Sequence, residues 1–402
     1  MADHASDLVI VGGGPAGMIA GLLFARAGVE TVVLEKHKDF LRDFRGDTIH
    51  PSTLQLFHEL RLLDALLQRD HVKVEQLSGR VAGETLPIAD FRHLPVAAPY
   101  IALMPQWDFL DFVADEAARY PGFSLERCAE AVGAIEEGGR VVGVRTADDD
   151  TYRARRLVIA ADGRHSAMRA GAGLAIETIG APMDVFWFRL PKHAEPDNET
   201  VGVFEAGRIF VLIDRRDYWQ CAFVFPKGRA GTIRAEGLDA FRKRVAAIGP
   251  ETAGVDAIRS WDDVKLLTVT VDRLTRWHNP GLLFIGDAAH AMSPIGGVGI
   301  NLAVQDAVAA ANILAAPMAA GKAVDSLLEK VQRRRMLPTR LTQRVQEMVQ
   351  DRVIAPLLKE GAKLDRPPAL IELLAHVPLL RRLPARAVGL GFRPEHVHSP
   401  KA

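Results

Sequence analysis

Leu8-Val-Ile-Val-Gly-Gly-Gly-Pro-Ala-Gly17 decides how this chain begins to fold. Leu8–Val11 is a short apolar run of the kind a buried parallel strand shows. Gly12-Gly13-Gly14-Pro15-Ala16-Gly17 follows directly and fits the spacing G-x-G-x-x-G. Met18–Ala27 then reads as a helix closed by Gly28, and Thr31–Leu34 as a second buried strand. Strand, glycine turn, helix and strand in that order make a parallel crossover unit. In such a unit the first glycine permits the tight turn and the second lets the backbone approach a pyrophosphate. The third lets the helix pack closely on the strand. The helix N-terminus, opening at Pro15 and Ala16, offers unpaired amides, none from Pro15 itself, and partial positive charge to phosphates. Glu35 ends the second strand, with Lys36 beside it, and puts a carboxylate where a ribose hydroxyl would donate. NAD and FAD share this fingerprint, so the unit alone predicts a dinucleotide without choosing between them.

Working outward, Ser52–Leu67 and Pro105–Arg119 have helical spacing of apolar residues, and Val141–Val144 and Leu157–Ala160 read as strands. Between about Asp184 and Phe225 the pattern changes to antiparallel strands at Val185–Leu190, Val201–Phe204, Ile209–Ile213 and Trp219–Phe225. A buried strand, Leu282–Ile285, precedes Gly286-Asp287, and a long helix runs from about Gly299 to Leu314. From about Ser326 the chain is helical and polar, with a Pro-rich tail. The fold class predicted is α/β: a Rossmann-like nucleotide-binding domain assembled from separated stretches, an inserted mixed sheet and C-terminal helices.

Composition narrows the function classes. The 402 residues exceed one ordinary core, and 50 basic residues balance 50 acidic ones, so no net field recruits nucleic acid or an anionic membrane. Two distant cysteines, Cys128 and Cys221, build neither a disulfide framework nor a metal cluster, which suits a reducing cytoplasm. There is no secretory leader pattern and no uncharged apolar stretch long enough for stable membrane insertion.

Three further segments carry a resemblance. Asp162-Gly163-Arg164-His165-Ser166 follows a predicted strand, Gly286-Asp287-Ala288-Ala289-His290 follows another, and Pro294-Ile-Gly-Gly-Val-Gly-Ile-Asn301 opens the long helix. With the first motif, and in this order, they resemble the single-component flavoprotein aromatic hydroxylases, the p-hydroxybenzoate hydroxylase-like monooxygenases. The resemblance spans nearly the whole chain, although the middle sheet and C-terminal helices match only in pattern.

The resemblance implies FAD as cofactor, with NADPH or NADH as a transient co-substrate, since no second dinucleotide motif is present. It implies that Asp162 lies near the pyrophosphate and that Gly286 and Asp287 meet the phosphate and ribityl chain. Gly297, Gly299, Ile300 and Asn301 are implied to face the flavin ring, where missing Cβ atoms and free helix amides suit a flat anion. The Pro294 carbonyl is placed close to the reacting ring. Arg45 resembles an arginine beside the FAD, Gln106 a helix-opening residue at the ribityl chain, and Ala131 a backbone contact to adenine. The family's chemistry runs through a flavin C4a-hydroperoxide that hydroxylates an electron-rich ring using O2.

This reading divides the chain into FAD-binding parts at 1–75, 101–180 and 271–325. Substrate-domain parts fall at 76–100 and 181–270, and a helical region at 326–402. The inserted sheet should supply an apolar wall over the flavin. Trp187, Phe210, Tyr218 and Gln220 are the candidate substrate residues, with Gln220 on the flavin-facing side. His50 is a candidate acid or base beside Arg45, and Arg215 in its turn reads as solvated surface. The partners expected are a small aromatic molecule and O2, with the protein a monomer or homodimer. A flavin-dependent epoxidase, a quinone- or isoprenoid-modifying oxidoreductase and a non-catalytic flavin sensor stay open as alternatives. A halogenase is disfavoured because its W-x-W-x-I-P segment is absent.

Overall fold

The computed structural model describes residues 3–41, 48–192, 201–205, 207–215, 217–248, 254–359, 364 and 366–402. Asp3–Val11 is the central strand of a largely parallel sheet. Thr31–Glu35 and then Phe123–Arg127 lie on one side of it, and Thr151–Ala160 and then Leu282–Phe284 on the other. The strands are buried on both faces, which is why they read as unbroken apolar runs rather than alternating ones. Pro15–Arg26 and Gly299–Ala319 cover one face and pack on each other. By length and composition Ile295–Ala319 qualifies as a membrane span, but 83% of that window is buried inside the protein, where it forms the core helix.

The helix predicted over Ser52–Leu67 is two pieces, Pro51–Glu59 and Leu63–Leu66. They are parted by Arg61, whose φ of 61° is left-handed.

The second sheet has seven strands in the order Lys265–Leu267, Met183–Pro191, Tyr218–Pro226, Arg208–Asp214, Val201–Glu205, Gln76–Val81 and Glu84–Asp90. The antiparallel register pairs Trp187 with Ala222 and Arg189 with Gln220, while Val211 pairs with Ala222 and Ile213 with Gln220. Period-two alternation then separates two faces. One carries Phe186, Phe188, Phe210, Cys221 and Phe223 and packs against Phe241 of a helix, Leu238–Ala246, that the sequence pattern did not reveal. The other carries Trp187, Val211, Ile213, Gln220 and Ala222 and turns toward the nucleotide-binding half.

After Gly299–Ala319, the helix Leu328–Val349 runs back across the nucleotide-binding half and ends in a π-helical turn, Gln350–Ile354. The tail is tied down: Glu395 accepts from Arg334 and Arg335, and the Ala402 amide donates to the Arg26 carbonyl at 2.9 Å.

Candidate flavin and substrate site

The two distant glycine segments meet. A Cβ on Gly286 would lie 3.1 Å from the Ala16 Cβ and 3.3 Å from that of Ala303, so Gly286 sits in a notch between the first motif and the long helix. Its φ of +60° is a second reason for glycine there. Arg164 reaches the Asp287 carboxylate at 3.3 Å, which brings the third segment to the same place.

At the first turn the glycines answer to the protein's own backbone. A Cβ on Gly12 would lie 2.5 Å from the Ala161 carbonyl oxygen, and one on Gly17 would collide with the Gly12 carbonyl. Gly14, in contrast, has nothing within 4 Å of its missing Cβ, and no side chain caps the helix starting at Pro15. Free amides beside open space are what a pyrophosphate needs. Glu35 is buried and accepts from the Gly13 amide at 3.0 Å and from the His37 amide at 3.0 Å, which fixes both the turn and the carboxylate. Asp162 accepts from the Met168 amide through Oδ2 while its buried Oδ1 has no partner. Burial raises the Asp162 pKa above the usual carboxylate range. An orphaned oxygen, open glycine and uncapped helix in one place fit a bound dinucleotide.

The flavin-side turn is built differently. Gly296 and Gly297 have φ of +76° and +62°, and the Gly297 amide closes the turn on the Pro294 carbonyl at 3.0 Å. That carbonyl therefore already accepts one bond. The turn is held from outside by side chains. Thr48 Oγ1 donates to the Gly297 carbonyl at 3.0 Å. Gln346, buried on the helix Leu328–Val349, accepts from the Ser293 amide at 3.2 Å and donates to the carbonyls of Ser293 and Ile295 at 2.9 and 3.0 Å. Asn301 accepts from Ser52 at 2.7 Å and Thr53 at 2.8 Å, so its side chain anchors the helix start while the amides of Gly299, Ile300 and Asn301 stay at the helix N-terminus.

Beneath the Gly286 turn lies a buried charge network. Asp306 accepts from the Gly286 amide at 3.1 Å and Arg335 Nε at 2.8 Å, and lies 2.6 Å from His290 Nε2. Burial alone would raise its pKa, yet His290 and Arg335 hold it below the ordinary range.

Several predicted residues lie elsewhere than expected. His50 is fully buried, with Nδ1 2.8 Å from the Val388 carbonyl and Nε2 3.0 Å from that of Gly297. Burial lowers its pKa, and a neutral ring has one N–H for two acceptors. It ties the flavin turn to the C-terminal helix Arg382–Gly389 rather than facing a substrate proton. Phe210 is buried against Phe188, at 6.0 Å between ring centroids, on the aromatic face away from the site. Lys36 is exposed and reaches Glu130 at 3.9 Å. Ala131 starts an outlying strand paired through Thr146, and Gln106 is buried at the start of the helix Gln106–Ala117. Arg45 lies outside the described residues.

On the inner face, Trp187 and Val211 border two apolar clusters, one under the C-terminal helix and one under the π-helical turn and Ile295. Gln220 is buried and accepts from Arg215 Nε at 3.1 Å. Arg215 thus belongs to this wall and not to solvated surface. Tyr218 lies at the rim with the Arg189 guanidinium 4.9 Å from its ring centre.

Fold and site together define an FAD-dependent oxidoreductase. The chain belongs to the FAD binding domain family, whose model matches residues 5–345, and within it is a p-hydroxybenzoate hydroxylase-like monooxygenase. It is 33% identical over 404 residues to 6-methylpretetramide 4-monooxygenase of Streptomyces rimosus, covering 98% of this chain and 94% of that one. It is 28% identical to a rifampicin monooxygenase of Streptomyces venezuelae, covering 75% of this chain and 62% of the relative. The fold matches PqsL of Pseudomonas aeruginosa with a TM-score of 0.74 at 21% identity, over 89% of this chain and 97% of the other. OxyS anhydrotetracycline hydroxylase of Streptomyces rimosus gives 0.72 at 22%, over 96% and 76%. The enzyme uses FAD, a nicotinamide and O2 to hydroxylate an aromatic small molecule.

Proposed function

We propose that the substrate is a polycyclic phenolic compound, of the kind named for 6-methylpretetramide 4-monooxygenase, and that it lies between the Trp187 face of the sheet and the Ile295–Gly297 turn. The observation that carries this reading is the inner sheet face. It is aliphatic through Val211, Ile213 and Ala222, carries one indole, and has a polar corner at Gln220 and Arg215. A wide flat wall with few polar groups suits a flat fused-ring molecule carrying oxygens at its edge.

When bound, FAD supplies the redox chemistry, taking electrons from the nicotinamide and activating O2. The chain supplies position and environment. The amides of Gly14 and Ala16 and the Gly286-Asp287 turn would hold the dinucleotide, Glu35 would accept from a ribose hydroxyl, and the helix start at Gly299 would direct partial positive charge at the ring edge. Thr48, His50 and Gln346 fix the turn against the ring. Val211, Ile213 and Trp187 exclude water, which strengthens each remaining polar contact. The Arg215–Gln220 corner orients an oxygen of the substrate, and Arg215 favours a phenolate. We read the protein as a cytoplasmic monomer or homodimer.

The test is a screen of polycyclic phenols and small phenols for stimulated NAD(P)H oxidation, with mass analysis of product. Larger stimulation by fused-ring phenols, with gain of one oxygen, supports the reading. Turnover confined to single-ring phenols overturns it.

A further inference from the structure

The helix Leu328–Val349 and the π-helical turn after it place buried glutamine amides toward the flavin turn. Gln343 donates to the carbonyls of Asp272 and Ala291 at 2.9 and 3.3 Å, and Gln346 holds Ser293 and Ile295 as described. Gln350 comes one turn later and is 3% exposed, yet its Nε2 has no hydrogen-bond partner among the described residues. It opens the π-helical turn, a rare local geometry that recurs at functional sites.

A second donor shares the condition. The buried Nε1 of Trp187 has no partner among the described residues, whereas the fully buried indole of Trp277 donates to the Leu274 carbonyl at 3.2 Å. The protein thus satisfies an indole N–H where it serves packing alone. Val349 and Val353, on either side of Gln350, pack on the same apolar cluster as Trp187 and Ile295. Both unpaired donors therefore belong to segments that pack on one apolar cluster, which Ile295 of the Pro294–Gly299 turn also borders. An unsatisfied buried donor costs about 1–3 kcal/mol, which a ligand acceptor recovers.

We infer that Trp187 Nε1–H and Gln350 Nε2–H form a donor pair that grips an oxygen acceptor on the aromatic substrate. The pair discriminates oxygenated rings from bare ones and orients the ring over the flavin turn. This rests on the proposed aromatic site, and it adds Gln350, from outside the sheet, to the residues that set specificity. The acceptor is a carbonyl or phenolic oxygen, since two neutral N–H groups accommodate either without a buried charge.

Calorimetric titration of the FAD-loaded protein with 2-naphthol and with 2-methylnaphthalene tests the pair, because the two compounds differ by one oxygen at nearly equal size. Wild type is expected to prefer 2-naphthol by about tenfold or more, since a site built to bond an oxygen rejects the analogue lacking it. Trp187→Phe and Gln350→Leu should each shrink that preference to within about threefold while leaving FAD content unchanged, as loss of one bond of about 1 kcal/mol implies. If wild type binds both compounds equally, or the oxygen preference survives in both variants, the donor pair is overturned and the aromatic site stands. If neither compound binds, both fall together. A variant that loses FAD or melts early is replaced by Gln350→Met or Trp187→Leu, read by the same preference ratio.

Discussion

The molecule has two glycine-rich turns that we assign to one cofactor, and they are held in opposite ways. At Gly12–Gly17 the constraint is steric: added Cβ atoms at Gly12 and Gly17 strike the backbone of Ala161 and of Gly12 itself. At Pro294–Gly299 the constraint is remote: Thr48, His50 and Gln346 reach in from other parts of the chain to pair the turn's backbone. A turn closed by backbone contact admits no side chain at Gly12 or Gly17. A remotely held turn depends on the neighbours' bonds, so its geometry is tunable by residues that never touch substrate.

The contrast can be broken at either turn. Gly17→Val gives the largest effect, because backbone must move to admit the side chain. Purified protein should retain almost no FAD, a fall of at least about 100-fold in affinity, as displacement of backbone from the pyrophosphate predicts. Normal FAD content would show that the first turn is not sterically fixed.

Asp306→Asn comes next, since it leaves buried Arg335 with Glu395 as its remaining carboxylate partner and removes the charge facing His290, a change that costs up to about 3–5 kcal/mol. Thermal unfolding should report it as a drop of several degrees. The pH dependence has a definite sign. Asp306 titrates below its ordinary 3.8 in the folded state, so its contribution is complete above that value and is lost as pH falls through the folded pKa. The gap in melting temperature between wild type and Asp306→Asn should therefore close in acid, below about pH 4. A gap that widens there contradicts the network.

Gln346→Leu sharpens the comparison most. It removes three bonds from the flavin turn and leaves the first turn alone. FAD should still bind, through its pyrophosphate, while its visible spectrum shifts and peroxide leakage during NAD(P)H oxidation rises about tenfold, the effect of about 1.4 kcal/mol. An unchanged spectrum with only a lower melting temperature would reduce Gln346 to a packing role. Thr48→Val is the mildest, costing about 0.5–1.5 kcal/mol for one bond, and should move the spectrum in the same direction by less.

The same contrast explains what was legible in the sequence. Gly12, Gly17 and Gly286 are readable because steric rules force glycine at fixed spacing beside a strand. Gln346 and the His50–Val388 bond carry no local pattern, since their partners lie 53 and 338 residues away. Alternation correctly grouped Tyr218, Gln220 and Ala222 on one face of their strand, but it fixes faces only within a strand. Phe210 needed the pairing of Phe210 with Phe223, which shows only in the folded sheet. Arg215 read as surface because a turn residue ordinarily is. The helix Leu238–Ala246 escaped notice because a charged face hides two buried residues, Phe241 and Val245.

Equilibrium titration of FAD into protein stripped of flavin, comparing wild type with Gly286→Val, reaches the root of this account. Gly286 lies in the notch where the two halves of the cofactor site meet. Wild type should take up one FAD per chain and become yellow, and Gly286→Val should bind at least about 100-fold more weakly with its fold retained, since overpacking a notch displaces both segments. Equal FAD uptake by the two proteins, or none by wild type, would contradict the assembly of one flavin site from the beginning and the later third of this chain.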